Sequence, residues 1–289
     1  MDRYQDLFQA LEQRREGALV PFFMLEDPNY EASLTLIEAA IEAGADALEL
    51  GVAFSDPVAD GPVIQRAHLR AQNSGATFAS SLRLVAQVRA KYPAIPIGML
   101  IYANVPFALG LDNFYSQLAA AGVDSVLLPD VPLREAAPFW EAARSARVSQ
   151  VFIAPPGAEA AQLQRIGQAS GGYVYLVSRA GVTGTESKAA LDHIRSTAAQ
   201  LASFDAPPAL VGFGISSAED VAAVIAAGAG GAICGSAIVR LIESAAEARG
   251  AKAVEISNIA GEVKDFVASL KAGTRRCSDG SNHLGAGFF

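Results

Sequence analysis

Residues 48–62 of the chain read LELGVAFSDPVADGP, an apolar run that changes to a segment with prolines and glycines. The first three residues end a short apolar run that follows Gly44, as expected for a buried strand that comes after the end of a helix. Two prolines and a glycine after residue 56 cannot continue a central strand. The stretch therefore predicts a buried strand followed by a loop over residues 52–62.

Glu49 is the unusual residue of this stretch, because it lies between Leu48 and Leu50 at the end of the predicted strand. A buried carboxylate costs several kcal/mol unless it is paired, hydrogen-bonded or protonated. The residue is therefore either a structural group that caps the loop or a catalytic acid or base. Asp60, on the polar loop, supplies a second carboxylate in a different environment.

The same order of a short apolar run and an amphipathic helix occurs eight times along the chain. Continuous apolar runs are typical of parallel strands whose outer face is covered by helices. The predicted strands span residues 18–23, 45–50, 95–102, 123–128, 150–154, 173–177, 209–213 and 231–234. Eight such units in about 230 residues favour a closed (β/α)8 barrel, or TIM barrel, over a doubly wound sheet.

Two further helices and a tail complete the predicted organisation. An amphipathic helix over residues 1–13 precedes the first strand, and another over residues 254–270 follows the last unit. No change of composition separates a second domain, so residues 1–271 are predicted to form a single barrel domain. Residues 272–289 are rich in Gly and Ser and lack periodicity, which predicts a flexible C-terminal tail.

Composition argues against several classes of function. The chain has 51% hydrophobic and 18% charged residues and a net charge of −8, without a long basic cluster, which argues against a nucleic-acid surface. Residues 221–239 carry no charge, but glycines divide them into helix, turn and strand, so a membrane span is not predicted. The N-terminal helix lacks the apolar core of a signal peptide, and a cytoplasmic protein is expected.

The histidines and cysteines predict neither a metal site nor a disulfide. His68, His193 and His283 have no Cys or His neighbours at the spacing of metal ligands. Cys234 and Cys277 lie far apart in the sequence, and reduced thiols are expected for both.

Glycine-rich segments follow the last three predicted strands. They are residues 181–185 (GVTGT), 212–216 (GFGIS) and 235–236 (GS). Glycine lets backbone N–H groups approach an anion, and the N-terminus of a following helix adds partial positive charge. Each segment taken singly could be only a tight turn, but three on one rim of a barrel favour a phosphate site. Its candidate residues are Thr183, Gly184, Gly214, Gly235 and Ser236.

A set of short motifs occurs in order from the first helix to about Arg275. The set comprises residues 48–51 (LELG) with 54–62 (FSDPVADGP), 178–184 (SRAGVTG) and 212–216 (GFGIS), together with 20–22 (VPF), 102–104 (YAN), 123–124 (VD), 129–132 (PDVP) and 235–239 (GSAIV). Together the motifs resemble the tryptophan synthase alpha chain family. The resemblance implies a (β/α)8 barrel that cleaves indole-3-glycerol phosphate to indole and glyceraldehyde 3-phosphate in L-tryptophan biosynthesis.

The resemblance also implies roles for individual residues. Glu49, with a pKa raised by burial, would donate a proton to the indole carbon and remove the proton of the adjacent hydroxyl. Asp60 would stay ionised and accept the indole N–H. The indole pocket would be lined by Phe22, Leu100, Leu127, Tyr175 and Phe213, some of which could instead be ordinary barrel core.

A partner is implied as well, because the family acts in complex with a pyridoxal-phosphate-dependent beta chain. We therefore expect an α2β2 assembly and no cofactor in this chain. Three loops on the catalytic rim, residues 53–62, 104–110 and 129–134, are the candidate docking surface, since the second is apolar yet crosses the surface. The candidate contact residues are Asp56, Asn104, Phe107 and Pro132. Docking is expected to close residues 179–188 over the substrate.

The chain departs from the family pattern at three positions. Ala53 stands where the family usually has proline, and Met24 and Glu26 stand where it usually has threonine and glycine. These changes bear on loop rigidity and docking more than on the chemistry, because both carboxylates are kept.

Three other functions share some of these features. Another phosphate-handling barrel enzyme of tryptophan or histidine biosynthesis would normally need a strand-end lysine or a different carboxylate, and no lysine lies at the end of a predicted strand. A non-catalytic activating subunit would not need Glu49 and Asp60. A free-standing indole-releasing lyase has the same sequence features as a form that depends on a beta chain.

Overall fold

Parallel strands form the centre of the fold in a computed structural model of the chain, which describes residues 2–177, 185–212, 214–249 and 256–276. Within these residues the nine strands are β1 (Ala18–Met24), β2 (Leu48–Gly51), β3 (Ile97–Leu100), β4 (Ser125–Leu127), β5 (Ser149–Val151), β6 (Ile153–Ala154), β7 (Val174–Leu176), β8 (Ala209–Val211) and β9 (Gly231–Cys234). Their hydrogen-bonded order is β5-β4-β3-β2-β1-β9-β8-β7-β6.

The two ends of this order are one stretch of chain, because only Phe152 separates β5 from β6. β5 pairs with β4 and β6 pairs with β7, and the carbonyl of Phe152 accepts the N–H of Tyr175 at 3.0 Å. The sheet is therefore a closed barrel, and the predicted strand over residues 150–154 is its fifth strand, split at Phe152. This confirms the predicted (β/α)8 barrel.

Helices cover the outside of the barrel. They are α1 (Arg3–Arg14), α2 (Tyr30–Glu42), α3 (Pro62–Asn73), α4 (Phe78–Lys91), α5 (Asn104–Leu109), α6 (Leu111–Ala121), α7 (Ala137–Ser145), α8 (Ala160–Ala169), α9 (Thr185–Ser203), α10 (Ala218–Ala226), α11 (Ser236–Arg249) and α12 (Ile256–Ala272), with a 3-10 turn at Leu133–Glu135. The extra helices predicted before the first unit and after the last are confirmed as α1 and α12.

The prediction of a loop over residues 104–110 is wrong, because most of this segment is the short helix α5. Pro106 lies in its first turn, where the N–H that proline lacks would have no helical partner. The helix ends at Leu109 and is followed by Gly110, which has a φ of 79°, a conformation that glycine adopts without steric cost. A proline near the start and a glycine after the end were the local signals for this helix.

The barrel interior is filled at its N-terminal end by a tyrosine from α1. Side chains alternate along β1, so that Phe22 packs inside the barrel and Phe23 packs outside against helices. The Tyr4 hydroxyl lies 2.8 Å from Ser125 Oγ, and its ring centroid lies 5.6 Å from that of Tyr173. With Tyr4 only 3% exposed, α1 closes this end of the barrel.

Glu26 occupies the left-handed conformation, with a φ of 66°, two residues after the end of β1. This conformation favours glycine, the residue that the family usually has here. The Glu26 carboxylate is buried and accepts hydrogen bonds from Ser80 Oγ at 2.7 Å and Ser81 Oγ at 2.8 Å in α4. These two bonds account for a glutamate at a position where the backbone disfavours one.

The C-terminal boundary of the barrel differs from the prediction. After α12, Thr274 is fully buried and its carbonyl accepts the N–H of Gly17 at 2.8 Å, while Arg276 donates its N–H to Arg15 at 2.9 Å. Residues 272–276 therefore belong to the barrel, so the predicted tail of residues 272–289 begins too early. Residues 277–289 lie outside the described part of the chain. No helix in the described part is long and apolar enough to span a membrane.

Candidate active site

A cavity of about 500 Å³ opens at the end of the barrel where the strands finish. Most of the predicted catalytic and substrate-binding residues line it, although they come from distant parts of the sequence. These residues are Phe22, Glu49, Asp60, Leu100, Leu127, Tyr175, Gly214, Gly235 and Ser236. The remaining predicted residues, Thr183, Gly184 and Phe213, lie outside the described part of the chain.

Glu49 reaches the cavity from β2, whereas Leu48 and Leu50 on either side of it pack outside the barrel. Its side chain is buried, and Oε1 accepts a hydrogen bond from the Tyr173 hydroxyl at 2.9 Å. Burial, opposed by this hydrogen bond and assisted by the charge of Asp60, raises the pKa of Glu49 from 4.5 to about 7. The carboxyl can therefore both give and take a proton at neutral pH.

Asp60 lies on the loop after β2 and is held differently. Its Oδ2 accepts two hydrogen bonds, from the Tyr102 hydroxyl at 2.8 Å and from His68 Nε2 at 3.0 Å. The same tyrosine hydroxyl accepts the N–H of Ala59 at 3.0 Å. The two carboxylates of the cavity thus have unlike surroundings, which is how one site can provide both an acid and a base.

Tyr175 forms part of the cavity wall at β7. Its hydroxyl donates to the carbonyl of Gly212 at 2.8 Å, and burial raises its pKa well above the usual value. A Cβ atom at Gly212 would overlap the Tyr175 ring. Glycine at 212 is therefore required by this close approach, and Tyr175 remains a neutral hydrogen-bond donor.

The part of the cavity predicted to bind a phosphate is formed after β8 and β9. Gly214 has a φ of 75°, Gly235 directly follows β9, and Ser236 begins α11, so backbone N–H groups and a helix N-terminus meet here. Arg240, one turn into α11, also lines the cavity. Among the described residues that line it, Arg240 is the only lysine or arginine. A cation near a helix N-terminus is unfavourable for the helix itself, whereas it suits a bound anion.

The predicted docking residues lie on the same end of the barrel. Asp56, Asn104, Phe107 and Pro132 follow β2, β3 and β4, and all four side chains are exposed. Phe107 is 65% exposed and contacts the Phe139 ring edge-on, with centroids 5.1 Å apart. Of the segment 179–188 that was predicted to close over the substrate, residues 179–184 lie outside the described part, and α9 begins at Thr185.

Sequence reasoning missed four residues of the cavity and its surroundings: Tyr173, Tyr102, His68 and Arg240. Tyr102 was part of a recognised motif, and His68 was considered only as a metal ligand. Arg240 directly follows another motif and carries charge in an apolar helix. Nothing in the sequence indicated that Tyr173 reaches Glu49, which is 124 positions away.

A closed (β/α)8 barrel whose cavity holds two unlike carboxylates, together with glycines and an arginine at a helix N-terminus, is the arrangement expected of a barrel enzyme that uses acid–base chemistry. Residues 8–268 match the model of the family described as tryptophan synthase alpha chain. The chain belongs to this family and is a lyase-type enzyme subunit.

Relatives and solved structures are similar to this chain over almost its whole length. The alpha chain of Corynebacterium glutamicum is 52% identical over 279 residues, covering 96% of this chain and 100% of the relative, and that of Vibrio vulnificus is 50% identical over 276 residues with the same coverage. The crystal structure of the alpha subunit from Legionella pneumophila has a TM-score of 0.83 at 30% identity, covering 94% of this chain and 98% of the other. A chain of the α2β2 tryptophan synthase complex from Pyrococcus furiosus has a TM-score of 0.78 at 32% identity, covering 89% and 98%.

Proposed function

We propose that this protein cleaves indole-3-glycerol phosphate to indole and glyceraldehyde 3-phosphate, as the alpha chain of a tryptophan synthase in L-tryptophan biosynthesis. The observation that carries the proposal is the pair of carboxylates in one cavity, a buried Glu49 with a pKa near 7 and a hydrogen-bonded Asp60. The family assignment supports this reaction over those of other phosphate-handling barrels. Retention of both carboxylates supports it over a purely activating role.

The proposed cleavage is a retro-aldol reaction. Protonated Glu49 donates to the indole carbon that bears the glycerol chain, and Asp60 accepts the ring N–H and stabilises the cationic indolenine that results. The Glu49 carboxylate then removes the proton of the adjacent hydroxyl. The carbon–carbon bond breaks, its electron pair returns to the indole ring, and the hydroxyl carbon becomes the aldehyde of glyceraldehyde 3-phosphate.

The shape and chemistry of the cavity suit this substrate. Its walls include Phe22, Leu100 and Leu127, which present apolar surface to an indole ring. The phosphate would lie at Gly235 and Ser236, next to Arg240. A volume of about 500 Å³ is within the usual range for small-molecule sites.

We further propose that a pyridoxal-phosphate-dependent beta chain docks on the rim formed by Asp56, Asn104, Phe107 and Pro132, and that this chain itself needs no cofactor. Support comes from the exposure of all four side chains and from similar chains in solved tryptophan synthase complexes. A free-standing lyase is the alternative. It would release indole at the same rate whether or not a beta chain is present.

The experiment is to measure indole release from indole-3-glycerol phosphate by the purified chain while a beta chain is titrated. We expect cleavage by the wild-type chain, acceleration and co-elution with the beta chain, and a loss of about 100-fold or more in turnover for Glu49→Gln and for Asp60→Asn. Absence of indole in every arm would contradict the proposed reaction. If the chain cleaves the substrate but the beta chain neither accelerates the cleavage nor co-elutes, the proposed reaction stands and the proposed partner is wrong.

A further inference from the structure

We propose that His68 is a positioning residue for Asp60, holding the carboxylate by a neutral imidazole of fixed tautomer so that its second oxygen faces the substrate. This inference rests on the proposed function, in which Asp60 accepts the indole N–H. His68 lies in the middle of α3, is 2% exposed, and contacts both ends of the loop over residues 54–60.

The tautomer of His68 follows from its hydrogen bonds. The backbone N–H of Phe54 points at Nδ1 from 2.9 Å, and a backbone N–H can only donate. Nδ1 therefore carries no hydrogen, and the single hydrogen of a neutral imidazole lies on Nε2. From there it is donated to Asp60 Oδ2 at 3.0 Å.

The orientation of Asp60 follows from the same contacts. The Tyr102 hydroxyl also donates to Oδ2, at 2.8 Å, so two donors hold one carboxylate oxygen. Among the residues that the structure describes, none donates to Oδ1. Since Asp60 lines the cavity, Oδ1 is the oxygen that can accept the N–H of the substrate.

Side chains from outside the loop over residues 54–60 bind it at several points, including Gln65, whose Nε2 donates to the carbonyl of Asp60 at 2.8 Å. His68 binds it at Phe54 and at Asp60, while Tyr102 binds it at Ala59 and stacks on the Phe54 ring with centroids 5.1 Å apart. A catalytic group misplaced by about 1 Å can lose about 100-fold in rate. Loss of His68 should therefore impair the chemical step more than the binding of the substrate.

Three variants separate the two halves of this role. His68→Phe removes both hydrogen bonds, and His68→Gln keeps an amide donor near the position of Nε2. His68→Asn can place its amide oxygen near the position of Nδ1, but its side chain is too short to reach the position of Nε2. Because hydrogen bonds to charged groups are strong, we expect kcat for indole release to fall about 10-fold to 100-fold in His68→Phe and His68→Asn, with KM within about 3-fold of wild type. His68→Gln should retain most of kcat.

The deciding measurement repeats His68→Phe in an Asp60→Asn background. If His68 acts through Asp60, its replacement should lower kcat little further once the Asp60 carboxylate has been removed. His193→Phe is the matched control, because it replaces another histidine, on α9. The Nε2 atom of His193 is buried and has no hydrogen-bond partner among the described residues. His193→Phe should leave kcat unchanged, and thermal unfolding of every variant checks that it is folded.

Unchanged kcat in His68→Phe, or an equal loss in both backgrounds, would overturn the proposal. So would a loss in His68→Gln as large as in His68→Phe. Failure of the proposed function is a different result, because the wild-type chain would then release no indole at all.

Discussion

Replacement of Glu49 by glutamine should stabilise the folded chain at alkaline pH while it removes activity. The folded state raises the pKa of this carboxyl from 4.5 to about 7. Below pH 4.5 the carboxyl is protonated in both the folded and unfolded states, so its burial does not lower the free energy of unfolding through ionisation. Between these two values the folded state keeps a proton that the unfolded state releases, so stability is lost progressively as the pH rises. Above pH 7 the carboxyl is ionised in both states, and the full loss in the free energy of unfolding remains.

The size of the effect follows from the shift in pKa. At about 1.4 kcal/mol per pKa unit, the rise to about 7 corresponds to about 3 kcal/mol at pH 8. Glutamine is never ionised and avoids this cost, and its amide oxygen can still accept the hydrogen bond of Tyr173. The free energy of unfolding of Glu49→Gln minus that of wild type should therefore increase by about 3 kcal/mol between pH 4.5 and pH 8.

Urea unfolding of both proteins at several pH values provides the assay. Other titrating groups are common to the two proteins and cancel in the difference, while the value at pH 4.5 is the control for any change in packing. A difference that stays constant with pH would show that burial does not raise the pKa of Glu49. Glu49 would then be ionised at neutral pH and could not act there as the proton donor.

Three further predictions test other parts of the site. Arg240→Gln should raise the Kd of glycerol phosphate about 10-fold by calorimetry, whereas Arg240→Lys and the remote Arg165→Gln should change it little; equal affinity in Arg240→Gln would place the phosphate elsewhere. Gly235→Asp should weaken the same ligand by at least about 10-fold through like charge, while Gly235→Ala should fold and bind, because a Cβ there would lie 3.7 Å from Phe22. Phe107→Ser should weaken beta chain binding by about 10-fold or more, since its exposed ring is an apolar anchor; unaltered co-elution would exclude this residue from the interface.

Most of the barrel could be predicted because each strand is a short apolar run bounded by glycine, proline or a helical pattern. The split at Phe152 could not be predicted, because residues 150–154 have the pattern of a single strand. Only their pairing, with β4 before Phe152 and with β7 after it, divides them. The helix α5 was missed because its six residues are too few for a periodic pattern. The buried position of Thr274 depends on contact with Gly17, at the opposite end of the chain.

The candidate site shows the same division between local and distant information. Glu49 and Asp60 were found because a carboxylate in an apolar run and a carboxylate in a loop are visible locally. His68 and Tyr102 were missed, because a histidine on a helix and a tyrosine after a strand acquire their role only when the fold brings both to Asp60. The candidate acid and base are thus visible in the sequence, whereas the hydrogen bonds that hold Asp60 are visible only in the structure.

The hydrogen bonds of Arg276 and Thr274 to residues 15–17 determine where the described chain ends in space. Ala18 begins β1, so this meeting point lies at the end of the barrel where the strands start, opposite the cavity and the rim with Phe107. An affinity handle or a surface tether joined directly to residue 276 would leave from the closed end of the barrel. A short tether joined directly to residue 276 would therefore favour molecules whose open end faces solution, where substrate and a second protein could reach it.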